Sequence, residues 1–325
     1  MNTLYNRDLI SIDDLTKDEI ESILVQAAEF EQRLARGERH SVAQLLRDYL
    51  LATIFYEPST RTLLSFESAM NRLGGRVLSV AEAKTSSSAA KGETIYDTGR
   101  MLESYADVLV QRHPASGSAR ALADAAAVPV INAGDGTGEH PSQALLDLYT
   151  IQREGAAGSP GASRGGLRPL DGLHVAMVGD LKNGRTVHSL SRALSHWKVE
   201  FSFVAPPELA MPQDVVDFVR GRGATVNLAT NMVPAFKTAD VAYITRIQQE
   251  RFATPEDYMK YKGVYVITAQ VIKDAKPGIA IMHPLPRVDE ITTDVDTLAN
   301  AAYFRQARNG VFIRMALLAM ILGAV

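Results

Sequence analysis

Four consecutive residues, Ser59-Thr60-Arg61-Thr62, combine three hydroxyl groups with one guanidinium. They follow an apolar run over 50–56 and precede apolar residues at helical spacing, so the segment is expected to open a helix. A helix N-terminus has unpaired amide N–H groups and the positive end of the helix dipole, and it therefore attracts anions. Hydroxyls and a guanidinium added to those amides match the oxygens of a phosphate. We predict a phosphate-binding turn, although these four residues alone fit an ordinary helix cap with an exposed arginine equally well.

Other polar side chains follow apolar runs in the same manner. Arg112 ends one such run, at a point where a positive charge can meet a ligand. Arg246 and Gln248 come two residues apart after the run 241–244, and in an extended stretch they would share one face. Each of these residues alone is more often a surface or salt-bridged side chain.

Two further residues are candidates only in combination with others. His140 could donate a hydrogen bond to a carbonyl oxygen, but a lone histidine is more often structural. Lys91 belongs to a loop of small residues over 86–94, and loops of that kind often close over a substrate. The plain alternative for Lys91 is a solvated surface lysine. No His-x-x-x-His motif or carboxylate cluster has metal-ligand spacing, so no metal site is expected.

The segment from Gly179 to Thr186 has the glycine spacing of a P-loop. Arg185 stands where the nucleotide-binding lysine should be, and the pattern Gly-x-Gly-x-x-Gly is not met. A nucleotide site is therefore a weak interpretation. An arginine at the start of a helix can instead clamp a carboxylate.

The elements that must position these residues alternate between strands and helices. A short apolar run, a polar turn and an amphipathic helix recur along the chain. This alternation predicts an α/β fold in which each parallel sheet is flanked by helices, with ligands bound at the carboxyl ends of the strands. The apolar runs cover 50–56, 107–110, 128–132, 173–178, 241–244 and 279–282. Before them, Thr16 and Glu19 have the spacing of a capping box and mark the start of the first helix.

The composition is that of a globular protein of two ordinary domains. The 325 residues are 46% apolar and 22% charged, and 34 basic against 37 acidic side chains give a net charge of −3. This balance argues against bulk binding of nucleic acid, which needs a basic surface. The absence of cysteine excludes disulfides, thiolate nucleophiles and cysteine-based zinc sites, and it is compatible with a reducing compartment. The N-terminus lacks the apolar core of a signal peptide.

A loop rich in glycine, serine, alanine and proline over 154–169 indicates where the domains divide. It directly follows a predicted helix over 141–153, so we expect a first domain over 1–150 and a second over 151–302. The apolar segment 310–325 is too short to span a membrane and contains Arg314. It is expected to form a buried C-terminal helix, about 303–325, that joins the first domain.

Taken together, the motifs resemble the aspartate/ornithine carbamoyltransferase family in order and spacing, over nearly the full chain. The first domain carries Phe55-Tyr56-Glu57-Pro58-Ser59-Thr60-Arg61-Thr62, Arg112-His113-Pro114 and His140-Pro141-Ser142-Gln143. The second carries Gly179-Asp180-Leu181-Lys182-Asn183-Gly184-Arg185-Thr186-Val187-His188, Thr245-Arg246-Ile247-Gln248 and His283-Pro284-Leu285-Pro286-Arg287. These are similar to the aspartate branch. The ornithine branch shares the Ser-Thr-Arg-Thr turn but typically has cysteine in place of Pro284 and a Ser-Met-Gly loop at 245–248.

The resemblance implies a role for each matched residue. Carbamoyl phosphate would be bound by Ser59, Thr60, Arg61, Thr62, Ser87, Lys91, Arg112, His140, Gln143, Pro284 and Leu285. Aspartate would be bound by Lys91, Arg185, Arg246, Gln248 and Leu285. Arg112 would bridge the phosphate and the carbonyl oxygen, while Gln143 and the backbone carbonyls of Pro284 and Leu285 would take the NH2 group. The residues implied to be catalytic are Arg61, Thr62, Lys91, Arg112 and His140.

The implied activity is transfer of a carbamoyl group to L-aspartate without a cofactor, the committed step of de novo pyrimidine and UMP biosynthesis. Direct attack by the amine through a tetrahedral intermediate is expected. In this family Ser87 and Lys91 come from the neighbouring subunit, which implies a homotrimer with shared sites. The expected location is the cytoplasm. Regulatory chains or a dihydroorotase are the partners left open, and no nucleic acid or membrane is expected. The alternatives are an ornithine-type transferase and a non-catalytic scaffold.

Two features depart from the family pattern. Ala90 stands where a second basic residue commonly precedes the lysine, which would weaken closure of that loop slightly. The loop 154–169 is longer than usual, which is expected to be harmless at the surface.

Overall fold

A computed structural model describes residues 3–86, 91–154 and 167–325. The chain forms two compact units, which are described separately. Unit 1 comprises Met1–Tyr149 and Arg308–Val325, and unit 2 comprises Thr150–Ala307. Each unit contains one parallel sheet accompanied by helices. The predicted fold class is confirmed.

The sheet of unit 1 has the strand order β2-β1-β3-β4, and all neighbours are parallel. Phe55 at the end of β1 lies opposite Arg112 of β3, and His113 lies opposite Asp135 at the end of β4. The carboxyl ends of these strands therefore meet at one edge, where the turn 59–62 and the loop 136–140 begin. The strands are β1 (Leu50–Phe55), β2 (Arg76–Val80), β3 (Val108–His113) and β4 (Val130–Asp135).

The sheet of unit 2 has the order β7-β6-β5-β8-β9 and is also parallel. Val178 at the end of β5 pairs with Ile244 of β8, and Tyr243 pairs with Met282 of β9. The three segments that follow these strands thus start side by side. The strands are β5 (His174–Val178), β6 (Glu200–Val204), β7 (Thr225–Ala229), β8 (Val241–Ile244) and β9 (Ala280–Met282).

Three strands do not coincide with the apolar runs from which strands were predicted. β2 and β7 lie at sheet edges and are partly exposed, so polar residues such as Arg76 and Asn227 interrupt their apolar pattern. β6 is interior but includes the polar Ser202, whose hydroxyl lies 2.8 Å from Nε2 of His174. The interior strands that were predicted are buried on both faces, which is why they read as continuous apolar runs.

The helices follow the strand-turn-helix order of the sequence. α1 begins as predicted, since Thr16 caps it and Glu19 completes the capping box. The helices are α1 (Lys17–Ala35), α2 (Arg39–Val42), α3 (Thr60–Arg72), α4 (Ala83–Ser86), α5 (Ile95–Leu102), α6 (Ser118–Ala125), α7 (Pro141–Glu154), α8 (Arg185–Leu194), α9 (Gln213–Gly221), α10 (Met232–Phe236), α11 (Pro255–Met259), α12 (Ala269–Lys273) and α13 (Tyr303–Ile321). Short 3-10 turns lie at Ile12–Asp14, Pro207–Leu209, Gln249–Arg251 and Thr293–Thr297.

The C-terminal helix α13 is buried along most of its length, as the sequence predicts. Leu317, Leu318 and Ala319 are inaccessible or nearly so. Among the described residues, no helix is long and apolar enough to cross a membrane.

Candidate active site

The turn at 59–62 opens α3 at the carboxyl edge of the unit 1 sheet. Ser59 occupies the N-cap position but makes no capping hydrogen bond with its side chain. The ordinary-cap interpretation requires that bond, so it does not explain the turn. Thr60 and Arg61 are exposed, whereas Thr62 is buried. Farther along α3, buried Phe66 and other apolar residues anchor the helix in the core.

Arg112 lies beside this turn, at the end of the neighbouring strand β3. Its Nη1 donates to the carbonyl oxygen of Ala133 at 3.2 Å, and its Nη2 lies 3.5 Å from Oε2 of Glu57. The side chain is only 13% exposed. A guanidinium held by a strand carbonyl and a carboxylate keeps one position at the sheet edge, which suits a group that must stabilise charge on a substrate.

The loop that leads to His140 is braced by a buried carboxylate. Oδ1 of Asp135 accepts the Glu139 N–H at 2.7 Å, and Oδ2 accepts the Gly117 N–H at 2.8 Å. Asn132 adds a hydrogen bond to Oδ1 at 3.2 Å. His140 itself is buried directly before α7. The histidine therefore sits on a loop whose backbone is fixed from both sides.

Gln143 lies in the first turn of α7, close in sequence to His140. Its Nε2 donates to Oδ1 of Asp147 at 2.9 Å, and Asp147 is fully buried. That bond orients the amide, and the side-chain oxygen of Gln143 is the atom that can accept a hydrogen bond from an NH2 group, because the amide nitrogen only donates.

Lys91 is exposed and lies before α5. Ser87, the second residue expected from the same loop, lies outside the described residues, as does Ala90. The unusually long loop expected at 154–169 is likewise outside them over 155–166.

In unit 2, α8 begins at Arg185 with Gly184 as its N-cap. Glycine has no side chain to cap the first turn, so the amides there are left without a local acceptor of that kind. The preceding turn is held by Asp180, which is fully buried and accepts the Asn183 N–H at 3.0 Å. This turn presents the positive end of α8 together with an arginine.

Gly179 allows the ends of β5 and β8 to approach closely. Its φ is +123°, and a Cβ atom there would lie 2.2 Å from the carbonyl oxygen of Thr245. Any other residue would clash with that backbone or be strained. The close approach places the turn before α8 beside Arg246.

Arg246 and Gln248 follow β8 and have defined partners within unit 2. Arg246 forms a two-pronged ion pair with Glu250, one hydrogen bond of which is 3.0 Å long. The hydrogen bond from Arg246 lowers the pKa of Glu250. Nε2 of Gln248 donates to the Asn183 carbonyl at 3.1 Å, which links the segment after β8 to the turn before α8. These strand ends border a pocket whose empty space, including its open mouth, is about 280 Å³.

Pro284 and Leu285 follow β9 in a loop with an unusual backbone. Leu285 has a φ of +53°, and the peptide bond between Leu285 and Pro286 is cis. Both residues are partly buried, and Leu285 packs against the core of unit 2. The loop follows the edge strand of the sheet, next to the segment that carries Arg246.

The sequence reasoning missed the acidic residues that support these groups. Asp135, Asp180, Glu250 and Glu290 lie within a few positions of the groups that they hold, whereas Glu57 is distant in sequence from Arg112. The available signal was the repeated occurrence of an acid inside each polar turn, but an acid in a turn is ordinarily a solvated one. Among the described residues, no group of three or more histidine or acidic side chains could hold a metal ion.

Arg314 is a further residue whose role the sequence did not reveal. It is fully buried in α13, where its guanidinium lies 4.8 Å from the ring centre of Phe66 in α3. Its Nη2 is 3.4 Å from Oγ of Ser142 in α7. Burial lowers the pKa of Arg314 to about 9, so the group remains charged at neutral pH. The arginine therefore connects the helices that follow the turn 59–62 and His140.

An α/β protein with arginines, hydroxyls and open helix N-termini at its strand ends belongs to a class that binds small anionic substrates. Two models of the aspartate/ornithine carbamoyltransferases match the chain. The carbamoyl-phosphate binding domain matches residues 7–153, and the aspartate/ornithine binding domain matches residues 171–321. The chain belongs to the aspartate/ornithine carbamoyltransferase family, and the predicted resemblance is confirmed.

Several similar proteins are named as aspartate carbamoyltransferases. An aspartate carbamoyltransferase catalytic subunit of Thermococcus kodakarensis is 49% identical over 98% of each chain. The catalytic subunit of Methanosarcina mazei is 48% identical over the whole of both chains. Among solved structures, the catalytic subunit of M. Jannaschii aspartate transcarbamoylase has a TM-score of 0.87 at 46% identity, with 98% of each chain covered. The Trypanosoma cruzi enzyme in complex with N-(phosphonacetyl)-L-aspartic acid has a TM-score of 0.89 at 38% identity, with 99% of this chain and 98% of that chain covered.

Proposed function

We propose that this chain transfers the carbamoyl group of carbamoyl phosphate to the α-amino group of L-aspartate. The products are N-carbamoyl-L-aspartate and phosphate, in the committed step of de novo pyrimidine biosynthesis towards UMP. One observation carries the proposal: in each unit, a helix without a side-chain cap starts at a strand end together with an arginine, at 59–62 and at 184–186. Relatives named as aspartate carbamoyltransferases, 46–49% identical over nearly the whole chain, support it.

In this proposal unit 1 binds carbamoyl phosphate. Residues 59–62 hold the phosphate through hydroxyls, the Arg61 guanidinium and the amides of α3. Arg112 bridges a phosphate oxygen and the carbonyl oxygen, to which Thr62 and His140 also donate. The buried position of His140 favours this role, because a hydrogen bond is stronger where water is excluded.

Unit 2 binds aspartate through its two carboxylates. Arg185 and Arg246 each offer a planar fork of donors that matches a carboxylate, and Gln248 adds an amide. Leu285 contributes a backbone carbonyl, and Lys91 adds a further positive charge. Together with Pro284, Leu285 also accepts hydrogen bonds from the carbamoyl NH2 group.

The reaction requires that the negative charge of the substrates is balanced and that the two substrates are correctly oriented. It does not require a nucleophile from the protein. The substrates bring about three negative charges at neutral pH, which Arg61, Lys91, Arg112, Arg185 and Arg246 balance locally although the net charge of the chain is −3. The neutral amine attacks the carbamoyl carbon, and Thr62, Arg112 and His140 stabilise the oxyanion before phosphate leaves. Losing one such donor typically costs on the order of 10²–10³ in rate. Orienting two bound reactants contributes on the order of 7–11 kcal/mol at best.

The proposed assembly is a cytoplasmic homotrimer in which Ser87 and Lys91 complete the site of the neighbouring subunit. The exposure of the Lys91 side chain is compatible with that role. The lack of cysteine agrees with the proposed compartment.

An assay with carbamoyl phosphate and either aspartate or ornithine tests the proposal directly. Carbamoylation of aspartate alone is expected, and preferential carbamoylation of ornithine would overturn the aspartate assignment. Binding of N-(phosphonacetyl)-L-aspartate provides a second measurement, because a scaffold with an incomplete site would not bind it tightly. The molar mass of the purified protein tests the trimer.

A further inference from the structure

The loop that follows β9 encloses a buried pair of ionisable side chains to which the proposed function assigns no role. His283 is 1% exposed and Glu290 is 6% exposed. Nε2 of His283 lies 2.7 Å from Oε1 of Glu290. The two residues stand at the ends of the segment that contains Pro284 and Leu285, and all of these residues belong to unit 2.

The hydrogen bonds of His283 define which ring nitrogen carries the proton. The backbone N–H of Leu285 points at Nδ1 of His283, at 2.7 Å. A backbone amide can only donate, so Nδ1 must be the unprotonated acceptor. The ring proton of the neutral histidine is therefore on Nε2, where it is donated to Oε1 of Glu290.

Glu290 is held in the ionised form that this tautomer requires. Its Oε2 accepts the backbone N–H groups of Val288 and Asp289, each at 3.1 Å. Burial works against ionisation, but the hydrogen bonds, first that from His283, outweigh it and lower the pKa of Glu290. The backbone N–H of His283 donates to Oε1 of Gln306 at 2.9 Å, so the histidine is held at its backbone as well as at its ring.

The hydrogen bond to His283 constrains the backbone conformation of Leu285. Its φ of +53° lies in the left-handed region, which a non-glycine residue rarely adopts unless its surroundings hold it there. The backbone N–H of Leu285 donates to Nδ1 of His283. This hydrogen bond holds Leu285 in the left-handed conformation. The peptide planes on either side carry the carbonyl oxygens of Pro284 and Leu285, and these planes turn with the φ and ψ of Leu285.

We propose that His283, kept in its Nε2–H tautomer by Glu290, is a positioning residue that aims the Pro284 and Leu285 carbonyls at the carbamoyl NH2 group and so selects carbamoyl over acetyl phosphate. The inference rests on the proposed function, in which those carbonyls bind that group. Acetyl phosphate has the same shape but carries a methyl group, which cannot donate a hydrogen bond. Polar acceptors left without a donor discriminate strongly against such an analogue.

The test compares the two donors in the intact protein with saturating aspartate. Either donor transfers its acyl group by the same balanced step, in which a C–N bond to aspartate forms, the C–O bond to phosphate breaks and the amine proton is passed to phosphate or solvent. The quantity measured is the ratio of kcat/KM for carbamoyl phosphate to that for acetyl phosphate. Where turnover of acetyl phosphate is too slow to follow, its inhibition constant against carbamoyl phosphate takes its place.

His283→Leu removes the acceptor for the Leu285 N–H, and the ratio is expected to fall about tenfold or more, the equivalent of one lost hydrogen bond to the donor. Glu290→Gln keeps the size of the side chain but replaces an oxygen that accepts two N–H groups with an NH2, and a smaller fall in the same direction is expected. His283→Asn retains an acceptor close to the position of Nδ1, and it is expected to keep the ratio within about threefold of the wild type.

His174 provides the matched control. It is also a buried histidine of unit 2, with Nε2 2.8 Å from Oγ of Ser202 and 3.9 Å from Glu200. It begins β5, however, and so lies at the amino end of a strand, whereas His283 follows the carboxyl end of β9. His174→Leu is expected to lower stability without changing the ratio. An equal fall in His174→Leu would show that the change in ratio follows from destabilisation and would overturn the proposal.

Two further results would also overturn it: an unchanged ratio in Glu290→Gln and in a folded His283→Leu, or a protonated Nδ1 of His283 in the ¹⁵N spectrum of the wild type. If His283→Leu does not fold, Glu290→Gln and the spectrum decide the matter. A wild type that does not carbamoylate aspartate at all would instead refute the proposed function, so the two failures are distinguishable.

Discussion

At the scale of single residues, the proposed ligand-binding arginines differ in what holds them. Arg112 and Arg246 are paired with Glu57 and Glu250, whereas Arg61 is an exposed side chain at the start of α3. A substrate carboxylate that binds Arg246 must compete with a carboxylate already beside it. Such competition makes the affinity for aspartate depend on geometry as well as on charge.

Arg61→Ala is expected to abolish measurable binding of carbamoyl phosphate, because the phosphate loses its only charged partner within the turn. Saturation kinetics or calorimetry with carbamoyl phosphate measures the effect. Arg72→Ala, an exposed arginine in the last turn of the same helix, is the control and should bind normally. Normal binding by Arg61→Ala would contradict the phosphate turn.

Arg246→Ala is expected to raise the KM for aspartate, by about tenfold to somewhat over a hundredfold for a lost charged hydrogen bond worth about 1.5–3 kcal/mol, with little change in the binding of carbamoyl phosphate. Steady-state kinetics with each substrate varied in turn separates the two effects. An unchanged KM for aspartate would refute the assignment. Arg222→Ala, a surface arginine stacked on Phe218, serves as the control.

At the scale of elements, the strand-end loops are fixed by buried carboxylates that accept backbone N–H groups. Asp135 and Asp180 do this in the loops before His140 and Arg185, and Glu290 does it in the loop after β9. A buried carboxylate of this kind costs free energy through desolvation and recovers it only if its hydrogen bonds are complete. In the loop after β9, where the pKa of Glu290 is lowered, this order depends on pH.

Acidification tests this dependence at Glu290. Because its pKa is lower in the folded protein than its ordinary value of 4.5, its ionised form stabilises the fold above that value, and the contribution is lost as the pH falls through the folded pKa. Glu290→Gln is expected to be less stable than the wild type at pH 7, and the difference should shrink below about pH 4. Urea unfolding at a series of pH values measures it, and a difference independent of pH would contradict the expectation.

At the scale of the whole molecule, the proposed function requires more than one chain. Lys91 is one of the five cationic side chains proposed to balance the substrates, and it is proposed to act in the site of a neighbour. A chain that lacks Arg61 and a chain that lacks Lys91 then have complementary defects. A closed ring of three subunits would allow each to correct the other.

Mixing inactive Arg61→Ala and Lys91→Ala chains, after dissociation and reassembly, is expected to restore activity. Random assortment gives a complete site at about one quarter of the positions in an equal mixture of two chains. The activity of the mixture, compared with each variant reassembled alone, is the measurement. No recovery would indicate that Lys91 acts within its own chain or that the trimer does not form.

The sequence by itself determined the interior strands other than β6, the turns after them and the residues proposed to bind substrate. Interior strands of a parallel sheet are buried on both faces and therefore appear as unbroken apolar runs, as at β1, β5 and β8. The polar turn after each run is local, so residues 59–62 and Arg185 could be located without knowledge of any distant contact.

Only the tertiary structure decided what holds those residues and what they face. Arg112 is fixed by Ala133, Gln248 by the Asn183 carbonyl, and Arg314 by Phe66 and Ser142, all of them far away along the chain. The tautomer of His283 follows from two hydrogen bonds whose partners no spacing rule predicts. A pattern along the chain records which face of an element is buried. The direction and distance of a hydrogen bond depend on how separate elements pack, and these appear only when the chain is folded.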